Sequence, residues 1–293
     1  MGVTCVVEQP KRVIALEWTY VEDVLALGLQ PVGIADIEGY HDWVKIPITL
    51  DTANVQDVGE RSEPNLELIT KLQPDLIIAV QFRVAQNYDE LSKIAPTLVF
   101  NPYPVDGSSH FEEMKTTFTT LATALGREDE GKQVLADMDA YFADAQDALT
   151  AAGHAAEPFI LSQGWTYDNV ATFRLFTDNA MAVQILEQIG LKNAWKDAPQ
   201  QYGFSELGIE GFAPLSETEF NFFYVAQTND NDFFAKSPLW SNLAFVKAQR
   251  AYWMGGDVWL FGGPRSAEAL VDTVLHAMNI EAPATDATPA VTN

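Results

Sequence analysis

GERSEPNLELITKLQPDLIIA, residues 59–79, is the stretch that decides the fold, because a weaker copy of it follows later in the chain. In the first copy a Leu-Glu pair at 66–67 precedes an apolar run that ends the stretch. In the second copy an Ile-Glu pair at 209–210 precedes the apolar run 222–226. Two segments built on one plan indicate two similar lobes, and two lobes form a cleft in which a ligand can bind.

The composition indicates a globular protein and excludes nucleic acid as a partner. With 293 residues, 47% of them hydrophobic, the chain can hold two domains of ordinary size or one large domain. The formal net charge of −24 argues against binding to a phosphate backbone, which requires clustered Lys and Arg. No apolar run reaches the length of about 18 residues that a membrane-spanning helix requires.

Short apolar segments alternate with helical patterns in both halves of the chain. The predicted strands are 12–18, 31–36, 74–80, 96–100, 158–163, 173–177, 221–226 and 251–256. The predicted helices are 19–28, 64–72, 88–95, 180–189, a helix from residue 209, and 265–278. Residues 37–58 show no regular pattern. This alternation is typical of parallel βαβ units, and the fold class is therefore α/β.

The segment 110–152 carries helical spacing in two successive patterns, and the second begins with acidic residues and ends at Gly153. A helix of about 22 residues would be about 33 Å long, which is enough to connect two lobes. The alternative is an ordinary surface helix of one domain. The Pro-, Ala- and Thr-rich segment 281–293 is predicted to be a disordered tail.

Cys5 is the only cysteine, which excludes an intramolecular disulfide and a metal site made of cysteines. We expect it to be an ordinary residue of a strand around Val3, Cys5 and Val7, the alternative being the acylated Cys of a lipoprotein. The N-terminus lacks the basic and apolar regions of a signal peptide. Because the strand pattern begins almost at residue 1, we expect an export segment to have been removed.

Arginines and aromatic residues are better indicators of a site than the four scattered His residues, which do not suggest a metal centre. Four of the seven Arg residues are predicted at loops or strand ends, namely Arg61, Arg83, Arg174 and Arg265. Aromatic residues at comparable positions are Trp43, Phe82, Trp165, Tyr167, Tyr202, Trp259 and Phe261. An open α/β sheet places its ligand crevice there, and Arg pairs with oxyanions. The alternative for each aromatic is packing in a core or between lobes.

Glu67 and Glu210 occupy equivalent positions in the two copies. A Glu at the start of a helix is usually a surface residue favoured by the helix dipole. Two in matching places could instead contact a symmetric partner.

Several stretches, together spanning about Gln9 to Met278, resemble the class III periplasmic binding proteins that deliver iron–siderophores to ABC importers. The resemblance is to the ferrichrome/hydroxamate and ferric dicitrate binding proteins. The matching stretches are KRVIALEWTYVEDVLALGLQPVGIAD (11–36), YHDW (40–43), the opening stretch 59–79, IAPTL (94–98), NAW (193–195), PLWSNL (238–243) and VWLFG (258–262).

The resemblance implies two Rossmann-like lobes with mainly parallel sheets, joined by one long α-helix. The corresponding divisions are an N-terminal lobe 1–125, a linking helix 126–153 and a C-terminal lobe 154–280. No intrinsic cofactor is implied, because the siderophore itself coordinates the iron. The implied location is periplasmic or otherwise extracytoplasmic, either free or lipid-anchored.

The resemblance also assigns residues to the ligand. Arg61 corresponds to the residue that pairs with the iron-bound oxygens. Aromatic positions of the hydroxamate pocket are occupied by Trp43, Tyr202, Trp259 and Phe261. In the hydroxamate binders Tyr202 is a Trp and Phe261 is a Tyr, so the pocket here is not identical.

Two departures, Arg83 and Arg174, point to a more anionic ligand than ferrichrome. The segment that contains Phe82, Arg83 and Tyr88 aligns with the ferric dicitrate binder, which has the same Arg and Tyr. Arg174 replaces an apolar pocket residue of the hydroxamate binder. Three arginines around one pocket favour a ferric complex with net negative charge.

The predicted function is therefore capture of a citrate-based or mixed citrate–hydroxamate ferric siderophore for an ABC importer. The alternatives are a neutral hydroxamate such as ferrichrome, haem, and cobalamin. An enzyme related in shape to nitrogenase would need Cys ligands for a cluster, which one Cys cannot supply. Glu67 and Glu210 are implied to meet Arg residues on the two subunits of a permease dimer, and the protein is expected to be a monomer.

Overall fold

A computed structural model describes residues 4–6, 9–104, 106–215 and 219–284. Its strands are β1 Val13–Ala15, β2 Gly33–Ile34, β3 Gln56–Asp57, β4 Gly59–Glu60, β5 Glu63–Pro64, β6 Leu76–Val80, β7 Thr97–Phe100, β8 Pro158–Tyr167, β9 Val170–Phe176, β10 Lys192–Asn193, β11 Phe204–Gly208, β12 Asn221–Val225 and β13 Ala251–Trp253.

The helices alternate with the strands in both halves. They are α1 Trp18–Ala26, α2 Ile37–Trp43, α3 Leu66–Leu72, α4 Gln81–Val84, α5 Tyr88–Ile94, α6 His110–Ala124, α7 Glu128–Ala151, α8 Met181–Gln188, α9 Thr228–Lys236, α10 Pro238–Asn242, α11 Ala244–Lys247 and α12 Pro264–Ala277. A 3-10 helix covers Ile209–Leu215.

The first lobe contains a parallel sheet in the order β3-β2-β1-β6-β7. Alternate residues of β6 enter two different cores: Leu76, Ile78 and Val80 pack on one face of the sheet, and Ile77 and Ala79 pack on the other. A sheet covered on both faces requires apolar residues at every position of its central strands. This is why the opening stretch ends in an unbroken apolar run.

The second lobe contains a mixed sheet in the order β11-β9-β8-β12-β13, with β10 also paired to β8. The predicted strand 173–177 largely coincides with β9, but the expected parallel alternation is wrong here, because β9 is the return strand of an antiparallel hairpin with β8. The turn residues Asp168 and Asn169 have φ of 48° and 60°. Two successive positive φ values are those of a type I′ turn, in which Asp and Asn are favoured.

The repeated segments occupy equivalent places in the two lobes. Helix α3 leads into β6, which pairs with the first strand β1, and the 3-10 helix leads into β12, which pairs with the first long strand β8. Helices α1 and α8 are each followed by a glycine with positive φ, Gly28 at 77° and Gly190 at 94°. These glycines allow the left-handed turn that ends each helix. The helix predicted from residue 209 is a 3-10 helix instead.

Helix α7 connects the two lobes. It has 24 residues, which corresponds to a length of about 36 Å. Near its N-terminus Val134 belongs to a core of the first lobe, whereas Met138, Phe142 and Leu149 belong to a core of the second lobe. The helix is therefore a strut shared by both cores.

Other segments differ from the predictions. Residues 37–58, predicted to be irregular, contain α2 and β3, and α9 to α11 were not predicted. Cys5 is exposed and lies outside any strand in residues 4–6, so its predicted strand is wrong there. Of the predicted tail, 285–293 lie outside the described residues. None of the helices described is long and apolar enough to cross a membrane.

A buried carboxylate joins the two lobes next to the strut. Glu22 of α1 accepts hydrogen bonds from the backbone N–H of Ser266 (2.8 Å) and from its hydroxyl (2.5 Å), and so caps the N-terminal turn of α12. Burial raises the pKa of Glu22. The adjacent Asp23 is buried as well, and its Oδ1 has no partner among the described residues. Burial, together with the charge of Glu22, raises the pKa of Asp23 well above its ordinary value.

We expect Asp23→Asn to stabilise the protein, increasingly so at higher pH. The unfolded chain loses the Asp23 proton near its ordinary pKa, whereas the folded chain keeps it to higher pH, so the wild type loses stability as pH rises between the two values. The advantage of the variant grows by up to about 1.4 kcal/mol per pH unit in that window. Urea unfolding from pH 5 to pH 8 measures it. The exposed Asp147→Asn is the control, and an advantage that does not grow with pH would contradict the expectation.

Candidate ligand-binding site

A cavity of about 440 Å³ lies in the cleft between the lobes. Its first-lobe side follows the carboxyl ends of β1, β6 and β7, as expected for a parallel α/β sheet. The lining residues are Glu17, Trp18, Thr19, Tyr20, Trp43, Arg61, Val80, Phe82, Arg83, Pro102, Tyr103, Gln163, Arg174, Tyr202, Phe204, Trp259 and Phe261. Eight of the nine ligand-binding residues that the sequence suggested are in this set.

The ninth residue, Tyr88, is not among the residues that line the cavity. It begins α5 and is half-buried. Its neighbours Phe82 and Arg83 do reach the cavity because α4 follows directly from the end of β6.

Glu17 forms the floor of the charged part of the cavity, and the sequence did not single it out. It is 8% exposed and is the N-cap of α1, where its carboxylate accepts from the Trp18 backbone N–H. Its Oε1 accepts from Arg61 Nη1 at 2.7 Å, and its Oε2 accepts from Arg83 Nε at 2.6 Å. A carboxylate directly after a buried strand, in the crevice of an α/β sheet, was the signal available for finding it.

Arg61 is held by contacts on several sides. It lies in the turn between β4 and β5, and its guanidinium stacks on the Trp18 ring at 3.4 Å. Asp36 Oδ2 is 3.9 Å from its Nε. Arginine retains further N–H donors after these contacts, because the guanidinium has five in a fixed plane. Arg61 is thus a rigid donor at the edge of the cavity.

Arg174 reaches the cavity from the second lobe. The prediction that it lies at a loop or strand end is wrong, since it is within β9, paired with Gln163 of β8 and Glu206 of β11 in the sheet register. Its Nη1 donates to Gln163 Oε1 and its Nε to Glu206 Oε1, both at 3.2 Å. The guanidinium also lies 4.4 Å from the ring centre of Phe204.

The cluster of three arginines is largely neutralised by carboxylates. Glu17 pairs with Arg61 and Arg83, and Glu206 pairs with Arg174. Asp36, 3.9 Å from Arg61, is a third carboxylate, so three carboxylates contact the three guanidiniums and leave no excess positive charge among these groups. The fourth arginine of the prediction, Arg265, is away from the cavity and forms a buried ion pair with Glu268 at 2.7 Å.

Aromatic rings form a continuous wall that adjoins the charged floor, with Arg61 5.9 Å from the ring centre of Trp259. Tyr103 packs against Tyr202 at 5.3 Å between ring centres, and Trp259 packs against Phe261 at 5.4 Å. Trp43 extends the wall at 6.4 Å from Trp259. Burial raises the pKa of Tyr103, so its phenol keeps its proton. Tyr103 and Phe204 are wall residues that the sequence did not indicate.

Comparison with known proteins identifies the family. Residues 13–258 match the family described as periplasmic binding protein. The chain belongs to this family. Over 278 residues it is 32% identical to the Fe(3+)-citrate-binding protein YfmC of Bacillus subtilis, covering 94% of this chain and 82% of that protein. Over 269 residues it is 30% identical to the iron(3+)-hydroxamate-binding protein FhuD of Escherichia coli, covering 92% and 87%.

A solved structure gives the same result for the fold. The Fe3+–Desferal-bound siderophore-binding protein FhuD from Vibrio cholerae matches this periplasmic binding protein with a TM-score of 0.82 and 28% identity, covering 91% of this chain and 97% of that one. The predicted class III fold of two α/β lobes joined by one long helix is confirmed. So is the resemblance to the iron–siderophore group of ABC-importer proteins, which are binding proteins and not enzymes.

Two further side chains of the binding protein lie outside the cavity. Glu67 and Glu210 are both exposed, one in the first turn of α3 and the other in the first turn of the 3-10 helix. Among the described residues, no three His, Cys, Asp or Glu side chains are grouped so as to hold a metal ion. The chemistry that the cavity offers a ligand is therefore stacking, hydrogen bonding and charge.

Proposed function

We propose that this protein is an extracytoplasmic solute-binding protein that captures a ferric siderophore in the cavity between its lobes and delivers it to an ABC permease dimer. The observation that carries the proposal is a cavity of ligand size that combines an aromatic wall with three guanidinium groups. Aromatic faces suit the organic shell of a siderophore, and guanidinium N–H groups suit the oxygens that surround its iron. Iron is the cargo, and the siderophore supplies all its ligands.

The ligand that these groups favour is a citrate-based or mixed citrate–hydroxamate siderophore. Arg83 and Arg174 add guanidinium groups to Arg61 from opposite sides of the cleft, and carboxylates of citrate type can accept from them. A relative named for ferric citrate binding and one named for hydroxamate binding are similarly close to this chain. A ligand that contains both kinds of group would use the charged floor and the aromatic wall together.

A neutral hydroxamate complex such as ferrichrome is the second candidate. It is favoured by the pairing of the arginines with Glu17, Asp36 and Glu206, which balances their positive charges. The exposed aromatic surface of the wall, including Phe82 and Tyr202, suits a neutral ligand equally well. The cavity suits haem and cobalamin less well, because guanidinium groups line the space that an apolar macrocycle would fill.

We also propose roles for the other parts of the chain. Residues 1–125 and 154–280 form the lobes, and 126–153 contain the strut. The protein acts as a monomer, and Glu67 and Glu210 form one contact with each permease subunit, because they are exposed at equivalent places in the two lobes. Its place of action is outside the cytoplasmic membrane.

Tryptophan fluorescence quenching tests the proposal, since Trp18, Trp43 and Trp259 line the cavity. Ferric citrate, ferrichrome, ferric aerobactin (a citrate–hydroxamate) and cobalamin are titrated in parallel. We expect saturable quenching in the submicromolar range by at least one ferric complex, with the citrate–hydroxamate tightest. Quenching by none of the ferric complexes would contradict the function, and tightest binding of ferrichrome would favour the second candidate.

Single removal of the two additional arginines tests the ligand class. We expect Arg83→Ala and Arg174→Ala each to weaken binding of the anionic complexes about tenfold, or about 1.4 kcal/mol, while ferrichrome loses less. Arg250→Ala, which removes an arginine outside the cavity, is the matched control and should leave every affinity unchanged. Equal losses for neutral and anionic complexes would show that these arginines do not select for charge.

A further inference from the structure

Glu17 is the only acidic side chain among the described residues that line the cavity. Its position is unusual, because a carboxylate at the floor of an anion-binding pocket repels the anion that the pocket is to bind. It is nevertheless buried, and each of its two oxygens accepts from a different arginine. The main-chain N–H of Trp18 adds a third donor to this carboxylate.

These contacts have two consequences for the arginines. Arg61 and Arg83 come from different elements and carry like charges, so they would repel each other at such close range without a shared counter-ion. Glu17 holds both heads in place and cancels one of their charges. The second lobe repeats the pattern in a looser form, since the Arg174 pair with Glu206 is longer and more exposed.

The contacts with Glu17 determine which N–H donors of Arg61 and Arg83 remain for a ligand. Glu17 takes Nη1 of Arg61 and Nε of Arg83. The other N–H groups of both guanidiniums stay available, because a guanidinium has five. The pocket therefore keeps many donors while its net positive charge stays low. Each added arginine normally increases both the number of hydrogen-bond donors and the positive charge of a pocket. Here Glu17 cancels one positive charge and uses only two of the N–H donors.

We propose that Glu17 is a specificity-determining residue that positions Arg61 and Arg83 and sets which ferric complexes bind according to their charge. This inference rests on the proposed function. In the wild type, the pocket accepts oxygen-rich complexes of low net negative charge and discriminates against strongly anionic ones, because carboxylates balance the charges of its arginines. Removal of the Glu17 charge shifts the preference toward more anionic complexes.

Glu17→Gln tests the proposal, because it keeps the shape and one acceptor oxygen but removes the charge. The measured quantity is the ratio of affinities for ferric dicitrate, which is strongly anionic, and ferrichrome, which is neutral. We expect this ratio to rise about tenfold in the variant and the gain to shrink in high salt. A role limited to positioning would weaken both ligands by the same factor and leave the ratio unchanged, and that result would overturn the proposal.

Glu60→Gln is the matched control. Glu60 precedes Arg61 in the chain, is exposed, and forms no ion pair among the described residues, so the same change of charge there should leave the ratio within about twofold of wild type. A shift as large as that of Glu17→Gln would show a general effect of net charge and overturn the proposal.

A double variant keeps the test decisive even if Glu17→Gln folds poorly. Glu17→Gln with Arg83→Gln removes one charge of each sign, so the net charge of the site stays the same as in wild type. We expect its affinity ratio to return to near the wild-type value, and a ratio that stays high would overturn the proposal. If wild type binds none of the ferric complexes of the quenching experiment, the proposed function fails. If wild type binds a ferric complex but Glu17→Gln does not change the affinity ratio, only the proposed role of Glu17 is wrong.

Discussion

Arg61→Ala is expected to lower the affinity for the ferric siderophore at least a hundredfold, the largest effect of any single substitution in the cavity. Arg61 is the least exposed of the three arginines, with an 18% exposed side chain, and it is fixed against the ring of Trp18. Loss of a buried charged hydrogen-bonding group at a binding interface costs about 2–5 kcal/mol. Isothermal titration calorimetry with the tightest ferric complex measures the change.

The fold of this variant should survive, because Glu17 keeps its contact with Arg83 after Arg61 is removed. Arg61→Lys is the informative companion variant. It keeps the charge but loses the planar donor set and the stacking on Trp18, so we expect a smaller loss of about tenfold. Wild-type affinity in Arg61→Ala would show that this arginine does not contact the ligand.

The second large effect is expected on transport and not on binding. We expect the double variant Glu67→Ala/Glu210→Ala to reduce uptake of the ferric siderophore more than tenfold while its affinity for the ligand stays unchanged. Both carboxylates are exposed and lie outside the cavity, so their removal takes nothing from the ligand. Loss of two charge pairs at a docking interface, in contrast, weakens the encounter with the permease.

Uptake of radioactive iron as the ferric siderophore, in cells that depend on this protein, measures transport, and fluorescence titration of the purified variant measures affinity. Glu128→Ala/Glu219→Ala is the matched control, because it removes two other exposed carboxylates. Normal uptake by the Glu67/Glu210 variant would contradict docking through these residues. A parallel loss of uptake and affinity would place their effect in the ligand site or in folding.

The two-lobed α/β fold could be predicted from the sequence, because the patterns that indicate its strands and helices are local in the chain. The apolar run at the end of the 59–79 stretch reflects a strand covered on both faces, and Gly28 and Gly190 mark the ends of helices with positive φ. The antiparallel hairpin of β8 and β9 departs from the expected alternation of strand and helix, because the two-residue turn Asp168-Asn169 joins the strands directly.

The chemistry of the cavity was less predictable, because it depends on contacts between residues far apart in the chain. Arg61 and Arg83 could be selected individually, but their shared partner Glu17 falls in the predicted strand 12–18, where nothing local marks it as a cavity residue. Tyr103 likewise joins the aromatic wall only through the packing of distant rings such as that of Tyr202. The sequence thus indicated a positively charged pocket for an anionic ligand, and the structure shows a pocket whose arginines are mostly balanced by carboxylates.

The central claim is that a ferric siderophore occupies the cleft with its iron held only by the siderophore. The most direct test is a crystal structure of the ferric citrate–hydroxamate complex with an anomalous difference map recorded at the iron absorption edge. The account predicts a single iron peak in the cavity between Arg61 and the aromatic wall of Tyr103 and Tyr202, with no protein atom in its coordination shell. An iron peak elsewhere, or iron ligated directly by a protein side chain, would contradict it.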